Sequence, residues 1–269
     1  MRDESGAAMR LEAVTKRFGP TLALREVSLA VPPGTAVGLV GSNGAGKSSL
    51  MNVVCGLLRP DSGRVFVLGH DAAAEPEAAR RSLGCALERP SLFALLTGRE
   101  QLEFVAAVGG VESTTAAARV AELSTVFDLT RDLDRSVDGY SHGMTRKLAF
   151  AAALVTAPRV LVLDEPFEGV DALGVEVMKR ALEQMRAAGA GILVSSHVLS
   201  LIDDFCSRFV LLHRGSVLFD GDRSALTDRA RELTAGEGEQ RRALESVFFG
   251  LVGGPPVSRK LRSLPGGGD

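Results

Sequence analysis

Cysteine and histidine are scarce in this sequence, and their spacing excludes several chemistries. Cys55, Cys85 and Cys206 are the three cysteines. They lie too far apart in sequence for the closely spaced pairs of a zinc site or the framework of a disulfide scaffold, and they read as core residues. The four histidines are scattered and suggest no transition-metal site. No apolar run approaches the ~20 residues that cross a bilayer; the longest, Leu148 to Ala157, is about half that. No hydrophobic signal region follows Met1-Arg2-Asp3-Glu4-Ser5, so a cytoplasmic protein is expected rather than a secreted one. Neither sign of charge is in excess: 31 Lys and Arg against 33 Asp and Glu leave a formal charge of −2. That balance gives no overall pull toward nucleic acid, and any phosphate binding must come from a local site.

What is present is enough for a packed core. Of 269 residues, 45% are hydrophobic and 24% charged, which implies a globular protein of one domain or one with a small appendage. Short β-rich runs alternate with longer helical patterns, the signature of an α/β fold with crossover helices. Strands are expected near Ala36–Val40, Val65–Leu68, Val160–Leu163, Gly191–Val194 and Phe209–Leu212. The runs Val160–Leu163 and Ile192–Val194 are apolar on both faces, as central parallel strands between helix layers must be. The runs Leu11–Val14 and Thr21–Val31 alternate more and precede Pro32-Pro33-Gly34, which points to an antiparallel subsheet. From Thr97 to Asp138 the pattern turns helical, with Gly98–Leu102 opening one helix and Val111–Leu129 carrying another. A further helix begins at Ser141 and presents Leu148, Ala152, Leu154 and Val155 toward one side. The organisation expected is a disordered extension over 1–8, a main domain over 9–230 with a helical subdomain at about 97–156, a C-terminal helix over 231–253, and a disordered tail over 254–269.

Gly41-Ser42-Asn43-Gly44-Ala45-Gly46-Lys47-Ser48 fits G-x-x-x-x-G-K-[ST], follows the expected strand Ala36–Val40 and opens a helical run over Lys47–Leu58. Glycines at 41, 44 and 46 allow a tight turn in which successive N–H groups and a helix N-terminus face phosphate oxygens. Lys47 supplies a charge for the β- and γ-phosphates, the Ser48 hydroxyl is suited to Mg²⁺, and Ser49 continues the cradle. The run Val160–Leu163 ends in Asp164-Glu165. Ligands gather at the carboxyl ends of parallel strands, so Asp164 is expected to hold Mg²⁺ through a water and Glu165 to orient and deprotonate an attacking water.

With these motifs the chain resembles the ATP-binding subunits of ABC transporters, from about Leu11 to Leu251, on a P-loop NTPase core. Tyr140-Ser141-His142-Gly143-Met144 stands where that family carries its Leu-Ser-Gly-Gly-Gln signature. Gly169-Val170-Asp171 occupies the D-loop position and His197 the switch-histidine position. Phe18 matches the aromatic that stacks on adenine. The resemblance implies two chains, identical or paralogous, that sandwich two ATP molecules. Ser141, Gly143 and Asp171 of one chain would contact the nucleotide of the other, while Glu165 and His197 align water. It also implies a separate transmembrane permease as partner, no nucleic acid, and a place at the cytoplasmic face of the cell membrane through that permease.

Two departures matter. Glu88 stands where the family has its Q-loop glutamine; it remains a hard ligand for Mg²⁺ but adds negative charge near the γ-phosphate, so slower turnover is expected. Glutamate there, and a Tyr-Ser-x-Gly-Met signature, resemble exporters of the drug and bacitracin-resistance type. Met144 has no amide to donate. The apolar stretch around Leu92, Phe93 and Leu96 is where the resemblance expects the permease to dock. The alternative is a soluble regulatory ABC-type ATPase not coupled to transport. Chromosome-maintenance types need a long coiled coil between phosphate loop and signature, and Ser49–Gly139 is too short to hold one.

Overall fold

The computed structural model describes residues 6–88, 92–234 and 243–252. The first half runs β1 (Met9–Phe18), β2 (Thr21–Val31), β3 (Ala36–Val40), α1 (Lys47–Val54), β4 (Ser62–Val67), β5 (His70–Asp71), α2 (Pro76–Arg81), β6 (Leu83–Ala86), α3 (Gly98–Val108) and α4 (Ser113–Val126). The second runs α5 (His142–Leu154), β7 (Val160–Leu163), α6 (Ala172–Ala187), β8 (Gly191–Ser195), α7 (Leu199–Asp203), β9 (Arg208–His213), β10 (Ser216–Asp222), α8 (Arg223–Thr234) and α9 (Ala243–Val252).

Two sheets form. The N-terminal strands make an antiparallel sheet in the order β2-β1-β4-β5, and the remaining strands a six-stranded sheet in the order β10-β9-β3-β8-β7-β6. In the second sheet every pairing is parallel except that of β10 with β9. Strands β3, β7 and β8 are buried along their whole length, which accounts for their continuous apolar sequence. Successive side chains of β7 enter different layers. Val160 and Val162 pack with Leu11 of β1 and Leu50 of α1, whereas Leu161 and Leu163 pack with Leu148 and Phe150 of α5. Burial of each such side chain stabilises the fold by roughly 1.5–3 kcal/mol.

Several boundaries differ from the sequence expectation. The helix after the phosphate loop ends at Val54 rather than Leu58, because Gly56 turns into the left-handed region at φ +69°. The expected helix Val111–Leu129 is Ser113–Val126, its start fixed by the Glu112 carboxylate accepting from Thr114 N and Thr115 N. Ala8, assigned to a disordered extension, is buried; its N–H donates to Val31 O and its carbonyl accepts from Leu68 N. Of the C-terminal helix expected over 231–253, the described residues are helical, as the end of α8 and as α9, while 235–242 and 253 lie outside the described residues. The tail assigned to 254–269, and residues 1–5 of the extension, lie outside the described residues. Cys55 and Cys85, distant in sequence, come together. A hydrogen bond with Cys85, and then burial, hold the Cys55 thiol well above its ordinary pKa, and all three cysteines are free. No helix among the described residues is long and apolar enough to cross a membrane.

Candidate active site

The phosphate loop lies between the end of β3 and the start of α1, and two of its glycines are demanded by close approach. A Cβ on Gly41 would stand 2.5 Å from the Leu212 carbonyl oxygen. Gly46, at φ +108°, would place one 2.6 Å from the Ala23 carbonyl. Lys47 Nζ curls back to donate to Gly41 O at 2.7 Å, so the loop holds its own lysine in place. The side chain is almost fully covered, leaving the ammonium inside the cradle rather than in bulk water.

Neighbouring strands supply the acids. Asp164, at the end of β7, is 2% exposed. Its Oδ1 accepts from Ser195 Oγ at 2.5 Å, and Ser195 Oγ accepts in turn from the Glu165 N–H at 2.9 Å. Glu165 adopts φ +49°, a left-handed conformation rare for a side chain of this kind. His197, beyond β8, sets Nδ1 2.9 Å from Glu165 Oε2. A carboxylate oxygen can only accept, so Nδ1–H is the donor in this pair, and Nε2 has no hydrogen-bond partner among the described residues.

These groups share one cavity of about 840 Å³. It is lined by the loop from Ser42 to Ser49, by Glu88, Asp164, Glu165, Glu168 and His197, and on the β2 side by Pro20 to Ala23, Arg25 and Arg214. The structure therefore brings together the loop, both candidate catalytic groups and all three candidate metal ligands, Ser48, Glu88 and Asp164. Phe18 is not among the lining residues. It sits half exposed at the end of β1, with Lys16 Nζ 5.8 Å from its ring centre.

Ser141, Gly143 and Asp171 are also absent from the lining, but they form a unit of their own. Ser141 Oγ caps α5 by accepting from Met144 N at 3.2 Å. A Cβ on Gly143 would stand 2.9 Å from Gly169 O, so the helix start packs directly on the loop that leads to Asp171. Asp171 caps α6 through Gly174 N at 2.7 Å and pairs with Lys147 at 3.2 Å. The Gly174 N–H, and then Lys147, hold the Asp171 carboxyl below the usual carboxylate range.

Two further residues, which no local sequence pattern marks, organise the site. Ser195 links Asp164 to Glu165; the apolar pattern of β7 and β8 marks both as strands, but only their pairing, Leu163 beside Val194, sets Ser195 next to Asp164. Arg146 of α5 is buried and joins Leu87 O at 3.3 Å to Glu168 Oε2 at 3.1 Å.

Known proteins resemble this arrangement closely. The family model described as ABC transporter matches residues 24–168. The daunorubicin resistance ATP-binding protein DrrA2 of Streptomyces coeruleorubidus is 35% identical over 96% of this chain and 81% of its own length. The ABC transporter ATP-binding protein NatA of Bacillus subtilis is 30% identical over 78% of this chain and 85% of its own. Among solved structures, an ATP-binding subunit of an ABC transporter superposes with a TM-score of 0.83 at 30% identity, covering 91% of this chain and 99% of the other. A dimeric cassette holding ADP and Pi, MJ0796, shares the fold at a TM-score of 0.74 and 24% identity, covering 80% and 98%. The chain belongs to the ABC transporter family, as an ATP-binding subunit that hydrolyses ATP.

Proposed function

We propose that this chain powers a separate transmembrane permease, in the direction of export, by closing with a second ATPase chain around two ATP molecules at the inner face of the membrane. The observation that carries the reading is the division of the motifs. Lys47, Asp164, Glu165 and His197 share a cleft, while Ser141, Gly143 and Asp171 form a separate capped unit outside it. A helix start such as that of α5 offers backbone N–H groups to an anion, and the ATP of an opposing chain is the anion we assign to it. Export is supported by the relatives, among them the daunorubicin/doxorubicin resistance ATP-binding protein DrrA of Streptomyces peucetius, 31% identical over 94% of this chain and 78% of its own length.

In this reading the loop N–H groups and Lys47 hold the β- and γ-phosphates. Glu165 accepts a proton from the attacking water, and His197, donating from Nδ1 to Glu165, fixes the carboxylate; when its ring is doubly protonated, Nε2–H also donates to a γ-phosphate oxygen. Ser195 keeps Asp164 and Glu165 in their relative positions. Ser48, Glu88 and Asp164 are an all-oxygen donor set of the kind that suits a hard cation, and they would hold Mg²⁺, Asp164 through a water. The ion's contribution when bound is to neutralise charge on the phosphates. Hydrolysis removes the γ-phosphate contacts that favour the closed pair, so the pair reopens.

Replacing Glu165 with Gln tests the reading. The variant with ATP and Mg²⁺ is expected to elute as a stable dimer in size exclusion and to release almost no phosphate. A variant that binds ATP yet stays monomeric would overturn the sandwich.

A further inference from the structure

Two arginines of the cleft have no role in the scheme above. Arg25 of β2 and Arg214 of the β9–β10 turn both line the cavity. Neither guanidinium has a hydrogen-bond or ion-pair partner among the described residues. Their placement is fixed by backbone: Gly215 N donates to Ala45 O at 2.8 Å, and Arg25 N donates to Gly215 O at 2.8 Å. The Ala23 carbonyl fills the space where a Cβ on Gly46 or on Gly215 would fall, 2.6 Å away in each case. β2, the phosphate loop and the β9–β10 turn are thus joined in one rigid corner. Arg214 occupies it at φ +47°, a conformation that glycine adopts with less strain.

The charge layout says what the pair is for. The acids of the cavity follow β6 and β7, with His197 after β8 beside them, where the terminal phosphate reacts, and Lys47 serves the middle of the cradle. The arginines come from the side of Pro20 to Ala23, which leads back to the β1–β2 turn and the base end assigned to Phe18. A guanidinium is a donor without acceptor capacity, and its fork matches phosphate oxygens. We infer that Arg25 and Arg214 clamp the α-phosphate, a group present in both ATP and ADP, so that they set the affinity for nucleotide without distinguishing substrate from product. The inference rests on the nucleotide-site reading of the same cleft.

Calorimetric titration with ADP and with β,γ-imido-ATP tests it on the full chain. Arg25→Gln and Arg214→Gln are each expected to weaken both nucleotides by the same factor, about tenfold, as for loss of one charge-assisted hydrogen bond. Arg214→Gly should show the same loss. Because it relaxes the backbone, its melting temperature without nucleotide should match or exceed that of the wild type, which separates lost contact from lost fold. Unchanged affinities in the arginine variants, or a loss confined to β,γ-imido-ATP, would overturn the inference. If Lys47→Ala loses both nucleotides while the arginine variants bind like wild type, this inference alone fails. If the wild type binds neither, the reading of the cleft fails with it.

Discussion

Glu88 joins Asp164, Glu165 and Glu168 on the lining of the cleft, so carboxylates crowd the place assigned to the terminal phosphates. A glutamine there would keep an oxygen ligand for a cation and remove one negative charge. At the effective dielectric of a partly solvated site, such a charge several ångströms from the reacting group is worth on the order of 1 kcal/mol, or about fivefold in rate. Glu88→Gln is therefore expected to raise phosphate release at saturating ATP by about that factor, and a large loss of turnover would contradict the argument. Which residues of the cleft can be read from sequence follows from how each is specified. Gly41, Gly46, Lys47 and Ser48 sit at fixed spacing in one segment between a strand and a helix, so pattern and context coincide. Asp164 and Glu165 are legible because a buried strand announces its own end. Ser195 and Arg146 are not, because their partners lie 31 and 22 positions away, and only strand register and helix packing bring them into reach.

Among the elements, strands declare themselves either by an unbroken apolar run or by alternation; Val160–Leu163, of the first kind, and Thr21–Val31, of the second, begin and end where the sequence indicates. β6 does not, since Leu83-Gly84-Cys85-Ala86 has weak strand propensity and owes its form to pairing with β7. Helix starts are legible where a side chain caps them, as Thr97 does for α3 in a reciprocal capping box with Glu100, and Ser141 for α5. The tie between α5 and the cleft is the less visible feature. Arg146 anchors the helix to Leu87, the neighbour of Glu88, and to Glu168, so one buried guanidinium spans the helix that begins at Ser141 and two loops of the ATP site. Glu168 is half exposed, so the ion pair itself contributes modestly. Arg146→Met, which keeps the apolar stem, is expected to cost about 1–2 kcal/mol in urea unfolding. It should leave ADP affinity intact but lower kcat severalfold, because the position of α5 relative to Glu88 loosens. Unchanged kcat would show that the link is structural only.

For the molecule as a whole, the decisive feature is that its phosphate cradle and its capped Ser141 unit do not line the same cavity. If they serve one nucleotide, they must do so from different copies, and damage to each half should complement in mixture. Lys47→Ala removes the cradle's charge. Ser141→Asp keeps a good cap for α5, since an aspartate oxygen can still accept from the helix N–H groups, but sets a negative charge where a triphosphate would be met. Each variant alone is expected to be nearly inactive, because every dimer it forms carries the same defect at both sites. In a mixed dimer, the intact cradle of the Ser141→Asp chain faces the intact Ser141 of the Lys47→Ala chain, which restores one complete site and leaves the other doubly damaged. An equal mixture should therefore recover a measurable fraction of wild-type ATP hydrolysis, with the recovered rate rising as the square of total protein concentration while dimers are scarce. A mixture as silent as its components would mean that two copies of this chain do not complete each other's sites.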